Sequence, residues 1–130
     1  MVPVKDRKTG LRVGFLLVLG LALVASTGAH AKLVRADPAP GAVLRTPPRA
    51  VRLVFNEELA SHGSTVAVVD ARGRRVDDGR GGLDLEDLDR RTLVARLRRL
   101  GPGRYVVRWQ ATSADDGYVA KGQYAFTVRR

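Results

Sequence analysis

Apolar and polar positions alternate along much of the chain after residue 50, in short runs. Val51, Leu53 and Phe55 alternate with Arg52, Val54 and Asn56, the period of two expected of a strand with one face on a core. Tyr105, Val107 and Trp109 alternate with Val106, Arg108 and Gln110, and near the C-terminus Tyr124, Phe126 and Val128 share a face. Ser64 to Asp70 is a β-branched run that ends at Ala71-Arg72-Gly73 and resumes at Arg74-Arg75-Val76, which predicts the two arms of a hairpin. Thr92 to Leu97 and Lys32 to Ala36 have strand character too. Asp37-Pro38-Ala39-Pro40-Gly41 and Thr46-Pro47-Pro48 can continue neither a helix nor a central strand, so the entry to the domain is extended and rich in turns. Residues 77–89, with three glycines and several carboxylates, are expected to form a loop outside the core. Short strands separated by Gly, Pro and Asp, with no helical period, predict an all-β antiparallel sandwich.

The front of the chain follows a different pattern. Lys5, Arg7, Lys8 and Arg12 precede an apolar stretch from Val13 to Ala25, and Ser26-Thr27-Gly28-Ala29 ends in small residues. That order is a secretory signal peptide, and the apolar stretch is shorter than a bilayer span. Residues 1–29 are therefore read as a signal peptide and residues 30–130 as one exported domain, placed in the periplasm or elsewhere in the extracytoplasmic envelope. Two cleavage sites compete: Thr27-Gly28-Ala29 would leave His30 first, whereas Ala29-His30-Ala31 is the more regular motif and would discard the histidine.

The chain has 130 residues and a net charge of +10, with no cysteine, so neither a disulfide nor a thiolate metal site is available. Beyond residue 29 there are 19 basic and 12 acidic residues, a net of +7 that favours anionic partners. The arginines read as scattered over strands and loops with no platform of exposed aromatics, which argues against nucleic acid. Trp109 and Tyr105 read as core packing. Asp84, Glu86, Asp87 and Asp89 lack the spacing of a calcium loop and read as a solvated acidic loop. Asp115 and Asp116 fit equally a turn allowed by Gly117 or a ligand role, and His62, in a Ser61-His62-Gly63 loop, reads as a solvated side chain that could still reach a site. Glu57 and Glu58 are not paired as acid and base. No serine or cysteine motif accompanies a histidine, so the chain is not expected to be an enzyme.

An ordered series of segments nevertheless has a resemblance. His30-Ala31-Lys32-Leu33, Asp37-Pro38-Ala39-Pro40-Gly41, Pro47-Pro48, Leu53-Val54-Phe55-Asn56-Glu57, Val69-Asp70-Ala71-Arg72-Gly73, Pro102 to Trp109, Ser113-Ala114-Asp115-Asp116-Gly117-Tyr118, Gly122 and Phe126-Thr127-Val128 together resemble the CopC family of exported copper-resistance domains. The resemblance implies an immunoglobulin-like, seven-stranded Greek-key β-sandwich, also described as a cupredoxin-like barrel. It implies a monomeric protein that binds Cu(II) in copper homeostasis and hands it, in some relatives, to a CopD-like membrane copper transporter. The family's ligands are an N-terminal histidine with its amine, and an aspartate and a histidine before the last strand. His30 matches the first, and Asp115 or Asp116 the aspartate; Tyr118 stands where the second histidine is expected.

That departure predicts weakened affinity, because a phenol with a pKa of about 10 is a poor equatorial ligand for tetragonal Cu(II) at neutral pH. The family's methionine-built Cu(I) site has no counterpart, since the sole methionine is Met1. Two other readings follow from the same residues. One is an envelope interaction module that has kept the sandwich and lost the metal; the other is oxidative chemistry at a histidine brace, for which only His62 could be the partner of His30.

Overall fold

The computed structural model describes residues 30–130; the expected signal peptide and Met1 lie outside the described residues. Eight strands follow one another: β1 (Leu33–Asp37), β2 (Val43–Leu44), β3 (Ala50–Phe55), β4 (Thr65–Asp70), β5 (Gly82–Leu83), β6 (Thr92–Arg96), β7 (Gly103–Thr112) and β8 (Val119–Val128). The all-β expectation holds. The two-residue strands β2 and β5 raise the count above the expected seven.

The strands form one sheet in the order β1-β3-β6-β5-β4-β7-β8-β2. Every pairing is antiparallel except β2 with β8, which is parallel. The chain leaving β1 at one edge crosses to β2 at the other. It is held there by Tyr124 Oη donating to the Pro38 carbonyl at 2.7 Å and by the Gly41 N–H donating to Ala125 O at 2.7 Å. This crossing, made by the proline-rich segment that cannot join a central strand, draws the two edges of the curled sheet toward each other.

The predicted alternation maps onto burial. Val51, Leu53 and Phe55 of β3 face inward beside Val66 and Val68, Leu93 and Ala95, Val107 and Ala111, and Phe126 and Val128. Arg52, Arg96 and Arg108, on the opposite face of their strands, are exposed. Phe55, 1% exposed, meets Trp109 edge-on with ring centroids 5.1 Å apart. The indole covers Gly122, its pairing partner on β8, where a Cβ would collide with the ring. Trp109 is therefore a packing residue, and Gly122 is the space that admits it.

Residues 77–89 correct the expectation of a loop lying wholly outside the core. Asp77 is 1% exposed, and β5 is inserted between β4 and β6. A buried carboxylate is tolerated only when its oxygens are engaged. Asp77 accepts the Val68 N–H (2.8 Å), the Gly79 N–H (2.7 Å) and the Arg75 guanidinium (2.6 and 3.2 Å). The turn at Ala71–Gly73 forms as predicted, but its second arm is reduced to a single bridge between Val69 and Arg75, because Asp77 takes over the bonding to β4.

Strand directions define two ends of the barrel. At one end β3 and β7 finish, β6 and β8 begin, and His30 enters beside the end of β3; at the other, β2, β4, β6 and β8 finish and β3 and β7 begin.

Candidate metal centre

His30 is positioned through the two residues that follow it. Ala31 is 3% exposed and belongs to the core. The Lys32 N–H donates to Asn56 Oδ1 at 2.8 Å, and the Asn56 N–H donates to the Lys32 carbonyl at 3.0 Å. Asn56, the first residue after β3, thus grips the entering chain through both side chain and backbone. Leu33 opposite Phe55 continues the contact into the β1–β3 ladder.

The partner segment is the turn between β7 and β8. The Gly117 N–H donates to Ser113 O at 3.0 Å, the Ser113 N–H to Tyr118 O at 2.9 Å, and Gly117 takes φ of +72°, open to glycine and costly for most residues. Asp116 Oδ1 accepts the Tyr118 N–H at 2.9 Å, a side-chain turn that fixes both residues relative to each other. The Tyr118 ring then lies against the His30 ring, centroids 3.6 Å apart and planes tilted by 32°. The Tyr118 N–H bond holds the Asp116 carboxyl below its ordinary range, outweighing partial desolvation.

The sequence-predicted residues separate accordingly. His30, Asp116 and Tyr118 are brought together by ring stacking and a hydrogen bond. Asp115 instead lines a shallow hollow with Glu57, Glu58, Ser113 and Ala114. His62 is exposed in the turn at residues 61–63, which is pinned to β7 where Gly63 O accepts Gln110 Nε2 and Thr112 Oγ1, each at 2.8 Å. Among the described residues, no three His, Asp or Glu side chains form a group that could hold a metal.

Sequence reasoning did not foresee two features of this end. One is the grip of Asn56, for which the only signal was a polar residue ending a strand. The other is Glu57, whose Oε1 is buried without a hydrogen-bond partner in the hollow that Asp115 lines, as is Ser113 Oγ. An imidazole and an ionised carboxylate beside a phenol, with a further unpartnered carboxylate oxygen at the same end, supply nitrogen and oxygen donors of the kind that suit a divalent transition metal.

Comparison with known proteins places this architecture. The model of the CopC domain matches residues 33–129. Protein YobA of Escherichia coli is 30% identical over 115 residues, covering 88% of this chain and 91% of YobA. The copper transport protein CutJ of Bacillus subtilis is 27% identical over 115 residues, which is 87% of this chain and 21% of CutJ. Among solved structures, CopC from Methylosinus trichosporium OB3b superposes with a TM-score of 0.67 at 29% identity, covering 76% of this chain and 93% of that one. PcoC, a methionine-rich copper resistance protein from Escherichia coli, gives 0.59 at 25% identity, covering 78% and 100%.

Proposed function

The chain belongs to the CopC domain family, and from that membership we propose that it is an exported copper-binding protein of copper homeostasis that takes up Cu(II) at the end where His30 meets Tyr118. The observation that carries this reading is the placement of His30 against Tyr118, whose N–H is in turn held by the Asp116 carboxylate. His30 supplies a ring nitrogen, and its main-chain amine as well if the signal peptide is removed after Ala29. Asp116 supplies a carboxylate that is ionised at neutral pH. Asp115 and Glu57 are oxygen donors held at the same end, and Tyr118 or water completes the set.

Only two of these donors are imidazole or amine nitrogen, both from one residue. Affinity is therefore lower than in a site with two histidines. The copper transport and copper resistance relatives support a copper role, and the ion is cargo: the protein buffers it or passes it to a membrane copper transporter, and carries out no catalysis. PcoC is described as methionine-rich, whereas here the sole methionine is Met1, so a thioether Cu(I) site has no ligands in residues 30–130.

Cleavage after Ala29 is supported by packing. Cutting after Ala31 would remove a core residue together with His30 and leave Asn56 gripping a charged terminus. The mass of the exported protein decides between a first residue of His30 and of Lys32. Cu(II) titration followed by electron paramagnetic resonance tests the site. A bound signal with nitrogen coupling that disappears in His30→Ala is expected; no bound signal, or one indifferent to His30→Ala, overturns the reading and leaves an interaction module without metal.

A further inference from the structure

Six of the arginines that look scattered along the chain are gathered by the fold at the end opposite His30. Arg45 and Arg49 flank the connection from β2 to β3, Arg98 and Arg99 lie in the connection from β6 to β7, and Arg129 and Arg130 follow β8. All six are exposed, and none forms an ion pair among the described residues. Arg72 and Arg104 extend the patch at its margin. Of the acids nearby, Asp70 is held by Arg74 at 3.0 Å and Asp77 by Arg75 at 2.6 Å, while Asp37, Asp78 and Glu86 are exposed, fewer than the arginines they face.

The other end is more acidic, with Glu57, Glu58, Asp87, Asp89, Asp115 and Asp116 set against Lys32, Arg90, Arg91 and Lys121. Exposed charge is therefore divided unequally between the two ends of the barrel, basic at one and acidic at the other. Within the basic end a cleft of about 590 Å³ lies between residues 46–49 and 97–100, and Arg49, Arg98 and Arg99 line it. Guanidinium groups bind phosphate oxygens in pairs. Val43, 54% exposed on β2 beside them, adds an apolar contact.

We propose that this arginine end docks the domain on an anionic lipid surface, through phosphate headgroups, and holds the His30 end away from that surface. Lipid is favoured over nucleic acid because the patch caps the end of a barrel and has no exposed aromatic ring for base stacking. The acidic end is repelled by the same surface, so charge sets orientation as well as affinity. Each arginine near an anionic bilayer is worth about fivefold in affinity, and the attraction is screened by salt.

The test is co-sedimentation of the purified protein with vesicles of phosphatidylcholine, with and without phosphatidylglycerol. Binding should require phosphatidylglycerol and fall steeply as salt rises. It should drop by about a hundredfold or more in the combined variant Arg45→Gln, Arg98→Gln, Arg99→Gln, Arg129→Gln, and survive Lys32→Gln, Arg90→Gln, Arg91→Gln. The cysteine-free chain allows single-site labelling: an environment-sensitive dye at Gly101→Cys should respond to vesicles, and one at Asp115→Cys should not. Binding that is equal on neutral vesicles, insensitive to salt or to the arginine variant, displaced by inorganic phosphate at matched ionic strength, or reported by the Asp115→Cys label overturns the proposal. So does tight binding to DNA with none to vesicles.

Discussion

The His30 imidazole lies 3.6 Å, centroid to centroid, from the Tyr118 ring, and the two residues are 88 positions apart in the chain. They meet because Asn56 fixes the entering chain at Lys32 and Asp116 fixes Tyr118 through its N–H. In the proposed site, a side chain at position 118 would therefore reach an ion held by His30. Tyr118→His should raise Cu(II) affinity by about tenfold or more through a second imidazole and increase the nitrogen coupling in electron paramagnetic resonance. Tyr118→Phe should leave affinity nearly unchanged if water completes the set, which a competition titration against a chelator of known affinity would measure.

Asp116 and Asp115 are adjacent but differently placed. Asp116→Asn keeps an oxygen to accept the Tyr118 N–H, so the turn survives while the negative charge is lost. Copper affinity should fall by about tenfold or more, and the smaller loss should come from Asp115→Asn, whose side chain lines the hollow beside Glu57. Equal losses in isothermal titration would show that both carboxylates reach the ion.

Asp77 is expected to matter for stability and not for copper. Asp77→Ala leaves the buried Val68 N–H without its acceptor and removes the bond to Arg75, at a cost of about 3 kcal/mol in denaturant unfolding.

The same carboxylate gives a pH signature. Burial alone would raise its pKa, but hydrogen bonds from Arg75, Val68 and Gly79 outweigh burial and hold it below its ordinary value of 3.8. A depressed folded pKa contributes stability in full above the unfolded value, and the contribution is lost as pH falls through the folded one. The stability gap between the protein and Asp77→Asn should therefore be constant near neutrality and narrow below about pH 4. Urea midpoints measured across that range would check it, and a gap independent of pH would refute it.

Gly122→Ala places a methyl group against the Trp109 ring, in the middle of the long β7–β8 ladder. The indole must shift from Phe55, so about 1–3 kcal/mol of stability should be lost. Because the chain has a single tryptophan, its fluorescence should report the displacement directly.

Alternation at Val51–Phe55, Tyr105–Trp109 and Tyr124–Val128 announced the strands because a period of two is a local property that any half-buried strand must show. Asp77 shows where such reasoning stops. Its polarity placed it outside the core, yet it is buried because a neighbouring arginine and the backbone of another strand satisfy it, and those partners are assembled only on folding. For the candidate site, His30 and the Asp-Asp-Gly-Tyr turn were legible as residue types. The exposed loop position of His62 was legible too; the meeting of His30 with Tyr118, the different placement of Asp116 and Asp115, and the unpartnered Glu57 oxygen were not.

Charge divides in the same way. Nineteen basic residues against 12 acidic ones after residue 29 are a count that any arrangement of the chain would share, as is the absence of cysteine and of any methionine beyond the first. Strand content and family follow from the order of residues along the chain, which local pattern carries and composition does not. The fold alone sent the arginines of the β2–β3 and β6–β7 connections to one end with the C-terminal pair, and His30 with the carboxylates of the β3 and β7 ends to the other. Antiparallel pairing reverses the chain at every strand, so residues far apart in sequence share an end, and only the register decides which end they share.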